Sequence, residues 1–174
     1  QRDSLALLAQ RSASVETDNA RLRQLLGLAA DLRWGFASAE ALQGRGPGDD
    51  YTVALTVGSS AGVKPFSPVV APEGLVGMVL TADPGLSLAI LWAHPDFRAS
   101  AMSADGAAFG IIKAHGGTGA SRWLLELNGI PFRQQLRPGT RILTSGLGGT
   151  YPRGIPIGTV LEERKTAEGF ARSY

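Results

Sequence analysis

Apolar positions follow two different periods along this chain. Between residues 3 and 30 they recur at alternating steps of three and four. With Leu5 as position a, the a/d series is Leu5, Leu8, Ser12, Val15, Asn19, Leu22, Leu26 and Ala29. This spacing lays a single apolar seam along a helix and predicts a coiled coil over residues 1–30. Leu5, Leu8, Val15, Asn19, Leu22 and Leu26 are the candidate self-association residues. An a-position Asn weakens such a seam but favours a parallel, in-register pair in which two amides meet. Arg11 would face Glu16, and Asp18 would face Arg23, across a parallel homodimer. Each exposed pair is worth only a few tenths of a kcal/mol, so these charges select orientation more than they stabilise. The competing reading is a single amphipathic helix packed on its own domain.

From Tyr51 the period shortens to two. Strands are predicted at Tyr51–Val57, Pro68–Val70, Gly74–Leu80, Leu86–Trp92, Phe109–Lys113, Trp123–Leu127, Arg141–Thr144 and Gly158–Leu161, with Gly, Pro, Asp or Ser between them. Residues 31–50 read as a linker. Asp31–Leu42 is ambiguous between helix and strand, and 44–50 is a glycine-rich loop. An internal echo runs through the β part. Lys64-Pro65-Phe66-Ser67-Pro68-Val69-Val70 has the outline of Arg137-Pro138-Gly139-Thr140-Arg141-Ile142-Leu143, and Gly77-Met78-Val79 that of Gly158-Thr159-Val160. The expected fold is mainly β: an N-terminal α-helical coiled coil followed by two small β-barrel domains, 51–96 and 97–174, with a seam around Ala93–Ser100. The last strand either returns to the first barrel or is incomplete. A single sandwich is the alternative.

Composition narrows the function. Of 174 residues, 44% are hydrophobic and 18% charged, which is globular rather than disordered. The net charge is only +2 and the basic residues are scattered, so no nucleic-acid partner is expected. With no cysteine, disulfides and cysteine-based zinc sites are excluded. No run of about 18 apolar residues is present to span a membrane. His94, Asp105 and Ser145 follow the His-Asp-Ser chain order of a serine protease. Their spacing is too short for the usual two-barrel layout, and Leu143 stands where a nucleophile loop places Gly. His94 and His115 have no metal-ligand spacing, and the clusters Gly44–Gly48, Gly116–Gly119 and Gly146–Gly149 lack the residues of a phosphate cradle. No catalytic, cofactor-binding or metal residue is therefore expected. Trp34, Trp92 and Trp123 are core or interface residues. Arg122, Arg133, Arg137, Arg141 and Arg153 form either a solvated basic face or a docking surface for an acidic patch.

One long stretch resembles the signature of the MreC family of rod shape-determining proteins: Thr144-Ser145-Gly146-Leu147-Gly148-Gly149-Thr150-Tyr151-Pro152-Arg153-Gly154-Ile155-Pro156-Ile157-Gly158-Thr159-Val160. Gly74-Leu75-Val76-Gly77-Met78-Val79, the turn Gly58-Ser59-Ser60-Ala61-Gly62-Val63 and Asn19–Leu28 resemble other parts of that family in the same order. Thr140 departs from the Asp common after this glycine, and 44–50 is an unusually glycine-rich link. The resemblance implies a non-catalytic scaffold of the cell-wall elongation complex at the periplasmic face of the cytoplasmic membrane. It implies an anchoring helix before Gln1 and further strand residues after Tyr174. The implied partners are a second copy as homodimer or filament, an elongation-class penicillin-binding transpeptidase, MreD and, indirectly, MreB. The alternatives are an active or degenerate chymotrypsin-like hydrolase and a periplasmic adaptor of a membrane assembly. Such adaptors usually carry a returning helical hairpin, and only one helix is legible here.

Overall fold

The computed structural model describes residues 35–43, 50–164 and 171–174, together with Asp18 and Arg21. The chain divides into two units, Gln1–Phe36 and Ala37–Tyr174. In the first, Asp18 and Arg21 are helical and exposed. The proposed seam residues Leu5, Leu8, Val15, Asn19, Leu22 and Leu26 lie outside the described residues, as does Trp34.

The second unit is built on two five-stranded antiparallel sheets. The first contains β1 (Ala41–Gln43), β2 (Thr52–Leu55), β3 (Pro68–Ala71), β4 (Gly74–Ala82) and β5 (Ser87–Leu91), in the order β1-β2-β5-β4-β3. The second contains β6 (Arg98–Ser103), β7 (Phe109–Ala114), β8 (Leu125–Asn128), β10 (Arg141–Thr144) and β11 (Pro156–Thr159), in the order β11-β10-β6-β7-β8. A short pair joins β9 (Ile130–Pro131) to β12 (Ala171–Arg172). The chain changes sheets between Leu91 and Arg98.

Two expectations need correction. The barrels are curled half-barrels, because among the described residues the edge strands of each sheet do not pair with one another. Closure needs a consistent tilt and stagger round a full circle. Edge strands as short as the three-residue β1 and four-residue β3 do not supply it. The stretch 31–50 is also more than a linker: it contributes β1, in register with β2 through Ala41↔Leu55 and Gln43↔Val53. At the other end, the last residues pair within the second half. Tyr174 and Leu127 exchange backbone hydrogen bonds of 2.8 and 3.0 Å.

The internal echo is a matched pair of turns. The Ser67 amide donates to the Lys64 carbonyl (3.0 Å), and the Thr140 amide to the Arg137 carbonyl (3.0 Å). Phe66 and Gly139 donate to Val79 and Val160, and those valines donate back to Ser67 and Thr140. The strands that follow break register at the same place, between Val69 and Val70 and between Ile142 and Leu143. The third turn residue has positive φ in both, +68° at Phe66 and +86° at Gly139. This is the position a Pro-containing type II turn assigns to glycine. The Thr140 hydroxyl donates to the Arg137 carbonyl (2.7 Å), a bond an ionised Asp there could not make. The two hairpins are nevertheless extended on opposite edges: β4 of the first pairs with β5, and β10 of the second with β6.

The first sheet buries Leu55, Val79 and Ala89, flanked by Val53, Val57, Val63, Val69 and Ala82. The second buries Phe97, Ala99, Ala101, Ile112, Leu127 and Ile142. Two contacts tie the sheets together. The buried Tyr151 hydroxyl lies 3.1 Å from the Arg98 carbonyl and 3.2 Å from Met78 Sδ. At Gly74 a Cβ atom would come within 2.3 Å of the Pro156 carbonyl oxygen, so β4 and β11 meet where a side chain would not fit.

Candidate functional site

An apolar cleft of about 780 Å³ opens between the two sheets. Leu75 and Val76 of β4 and Trp92 form one side, and Ile112, Leu125, Leu127, Ile142 and Ile157 of the second sheet form the other. Trp123, Leu124 and Leu161 edge it and are 42%, 40% and 63% exposed, which leaves a continuous apolar surface open to a partner. The aromatic rings are held in order. Trp123 stands edge-on to Tyr51 at 5.9 Å between centroids and tilted against Trp92 at 6.2 Å. The Trp92 indole nitrogen lies 3.4 Å from the Trp123 carbonyl oxygen, and the Arg122 guanidinium lies 5.0 Å from the centre of the Trp123 ring. Packing and a cation–π contact thus fix Trp123 despite its exposure.

One end of the cleft is polar. Glu126 on β8 accepts hydrogen bonds from His115 Nδ1 (2.8 Å), Lys113 Nζ (3.1 Å) and Arg164 Nη1. Burial pushes the Glu126 carboxyl up, but the bond from His115 and the bond and charge of Lys113, with the charge of Arg164, outweigh it and hold it below the ordinary glutamate range. His115 Nδ1 also lies 3.0 Å from Arg164 Nη1. Two donors cannot share a proton, so Glu126 is the common acceptor and His115 presents an Nδ1–H. The cluster joins β7, β8 and the segment after β11, closing the cleft at that end. On its rim Glu73 and Glu162 are exposed.

The signature loop 145–155 is folded back on β10. The Thr144 hydroxyl donates to the Pro152 carbonyl (2.5 Å) and accepts from the Ile155 amide (2.8 Å). Gly146, at φ +75°, packs so that a Cβ would meet Arg153 Cβ at 2.9 Å. This geometry directs Tyr151 inward to the junction of the sheets.

The weighed serine-protease set is not assembled. His94 Nδ1 accepts from the Asp96 amide (3.0 Å), Asp105 accepts from Ser103 Oγ and the Ala107 amide, and Ser145 Oγ accepts from the Leu147 amide (3.2 Å). Among the described residues, no hydrogen bond joins any two of these three side chains. Gly116, Gly119, Gly146, Gly148 and Gly149 take positive φ in turns. Of the arginines grouped by sequence, Arg122 stacks on the cleft residue Trp123, while Arg133, Arg137, Arg141 and Arg153 are exposed elsewhere on the second half. Sequence reasoning missed the Glu126 cluster, because the other members lie 11 to 38 positions from Glu126 and meet it only through the fold. It left the roles of Tyr51 and Tyr151 unread for the same reason.

A family model described as rod shape-determining protein MreC, barrel core, matches residues 46–174. The cell shape-determining protein MreC of Listeria monocytogenes is 32% identical over 162 residues, covering 91% of this chain and 54% of that protein. The chain spans about half or less of the length of the curated relatives it matches. A solved MreC structure superposes with a TM-score of 0.76 at 23% identity, over 92% of this chain and 90% of that one. A complex between penicillin-binding protein PBP2 and MreC from Helicobacter pylori gives 0.61 at 20% identity, over 78% and 82%.

Proposed function

The chain belongs to the MreC family of rod shape-determining proteins, and we propose that it is a periplasmic, non-enzymatic scaffold that docks an elongation-class penicillin-binding transpeptidase in the cleft between its two sheets. The observation that carries this is the cleft itself. It is apolar, rigidly lined by packed tryptophans, and has a charged rim, which is the anatomy of a protein-binding hot spot. In Helicobacter pylori an MreC is found in complex with PBP2. A scaffold of this kind needs no covalent chemistry. It binds one arrangement of the synthase better than another and so shifts its population. The heptad residues Leu5, Leu8, Val15, Asn19, Leu22 and Leu26 would pair two copies in parallel, and a segment preceding Gln1 would anchor them to the membrane. MreD and, indirectly, MreB complete the partner set that the family implies. The hydrolase reading has no support, since His94, Asp105 and Ser145 are each engaged apart.

The test is a titration of this chain with the periplasmic part of the transpeptidase from the same cell, followed by tryptophan fluorescence. Saturable binding is expected, weakened about tenfold or more by Trp123→Ala and by Leu161→Asp, as for hot-spot residues. Both side chains are substantially exposed, so the variants should keep the wild-type circular dichroism spectrum. Undiminished affinity in both folded variants would remove the cleft from the proposal.

A further inference from the structure

We propose that this chain also binds the wall polymer itself, through a surface of the second half made by Phe132, Arg133, Arg137, Arg141 and Arg153. The ligand is an uncross-linked glycan strand: the Phe132 ring stacks on a sugar, and the arginines hold the carboxylates of the attached peptides. The inference rests on the reading above that the chain works beside a wall synthase, and it uses a surface separate from the cleft.

The arginines gather around one turn. β6 ends at Ser103, and the chain passes through residues 104–108 before β7 begins at Phe109. The Ala104 amide donates to the Arg141 carbonyl (2.9 Å), and Gln134 Nε2, next to Arg133, donates to the Ala107 carbonyl. The Arg153 guanidinium lies 3.8 Å from where a Cβ on Gly106 would sit. Arg137 opens the turn that leads into Arg141, its carbonyl accepting from the Thr140 amide. All four arginines are exposed, and none has an ion-pair partner among the described residues. Residues 97–174 carry ten basic side chains against five carboxylates, so positive charge is in excess here. Two acids of this region are already engaged. Asp105 accepts from Ser103 Oγ and the Ala107 amide, and Glu163 accepts from Arg172 Nη1. The four guanidinium forks are left for carboxylates from outside, which each can hold by two parallel hydrogen bonds.

Next to Arg133 an aromatic ring is fixed in the open. Phe132 is 58% exposed, yet it is clamped. Arg172 Nε donates to the Phe132 carbonyl (2.8 Å), and the Arg172 guanidinium lies 4.5 Å from the centre of the ring. Glu163 holds that guanidinium from its far side. One face of the ring is thus covered and the other is open. A pyranose presents a face of weakly positive C–H bonds, which suits the negative face of an aromatic ring. Burial in hydrocarbon would instead strip water from the Arg172–Glu163 pair at a large desolvation cost, so a lipid surface fits less well. The contacts are spread over separate turns and lack the apolar centre of an interface with a folded protein. Separate, individually weak contacts suit a polymer that repeats sugar and carboxylate, because each bound repeat raises the effective concentration of the next.

Calorimetric titration of the whole chain with soluble, uncross-linked peptidoglycan strands tests this. Wild type should bind long strands about tenfold or more tightly than a single disaccharide–peptide repeat. Arg137→Glu/Arg141→Glu should weaken strand binding about tenfold or more, and Phe132→Ala about threefold or more. The altered side chains are exposed, so these variants should keep the wild-type circular dichroism spectrum. Trp123→Ala should bind strands as wild type does, and Arg137→Glu/Arg141→Glu should bind the transpeptidase as wild type does. Loss of one activity with the other retained therefore shows whether this proposal or the cleft proposal has failed. No strand binding by wild type, or undiminished binding by the folded arginine variant, would overturn the proposal. So would equal binding of strands whose carboxylates have been amidated. Polyglutamate of matched charge binding as tightly as the strands would overturn it in favour of an acidic protein. Tighter, arginine-dependent pelleting with phosphatidylglycerol vesicles would overturn it in favour of a lipid.

Discussion

Tyr151 shows how one side chain of the signature loop serves the whole unit. Its ring is buried and its hydroxyl reaches the Arg98 carbonyl and Met78 Sδ at the junction of the sheets. Removing the hydroxyl leaves that carbonyl without its donor, so Tyr151→Phe should cost about 1 kcal/mol, or roughly 3 °C in melting temperature. Burial pushes the phenol up to about 12 from 10.0. The folded pKa is the higher one, so the stabilisation is complete below pH 10 and is lost as pH rises from there to about 12. Urea midpoints of wild type and Tyr151→Phe should therefore converge over that interval. A constant difference would show that burial of the phenol is not the cause. Phe66 gives the opposite expectation. Left-handed backbone costs a non-glycine residue about 1 kcal/mol or more, so Phe66→Gly should stabilise by about that amount in chemical denaturation. The matched tetrapeptides were legible in the sequence, but the strain was not: it exists only because both turns adopt one conformation.

At the scale of elements, the strands rich in branched and aromatic residues could be read, and the others could not. Arg98–Ser103 was missed because Ala99, Ala101 and Ser103 are small residues with weak strand preference. Tertiary contact buries them to 2%, 0% and 0%, where larger side chains would not fit between packed layers. β1, β9 and β12 are two or three residues long and have no period to read. Trp123–Leu127 begins with a 3₁₀ turn, Gly119–Trp123, which sets Trp123 at the cleft before β8 starts. The Glu126 cluster has a consequence of its own. Because the folded carboxyl is held below its ordinary value of 4.5, its contribution is present above that pH and is lost as pH falls through the lowered value. Acid should weaken the joint between β8 and the segment carrying Arg164. Glu126→Gln should be less stable than wild type at pH 7, and the gap should shrink below pH 4.5. Hydrogen exchange at Leu127, whose amide is bonded to Tyr174, reads this locally. Unchanged protection in Glu126→Gln at neutral pH would make the cluster a surface ornament.

At the scale of the molecule, the sequence suggested two barrels folding side by side, and the echo of turns encouraged that view. The two hairpins share their turns and their register breaks, but they are completed by neighbours on opposite edges, so neither half repeats the other. The halves meet through contacts that neither can make alone. Tyr151 of the second half needs Met78 of the first, and β4 approaches β11 so closely at Gly74 that a Cβ has no room. Residues 37–174 accordingly form one compact unit. A unit whose core is shared should unfold in one step, with calorimetric and van't Hoff enthalpies agreeing. Gly74→Ala tests the coupling directly. The added carbon would lie 2.3 Å from a carbonyl oxygen, at a glycine whose φ is +139°. Adjustment of both sheets should cost about 2 kcal/mol or more. If the sheets are coupled, this one substitution lowers a single transition that carries the fluorescence of Trp92 and the near-ultraviolet signal of Tyr151 together. If they are independent, it splits the melt in two, with only the weakened half moving. A split would also mean that the cleft is a gap between two bodies rather than a fixed surface, and a partner would then have to hold the halves together to bind them.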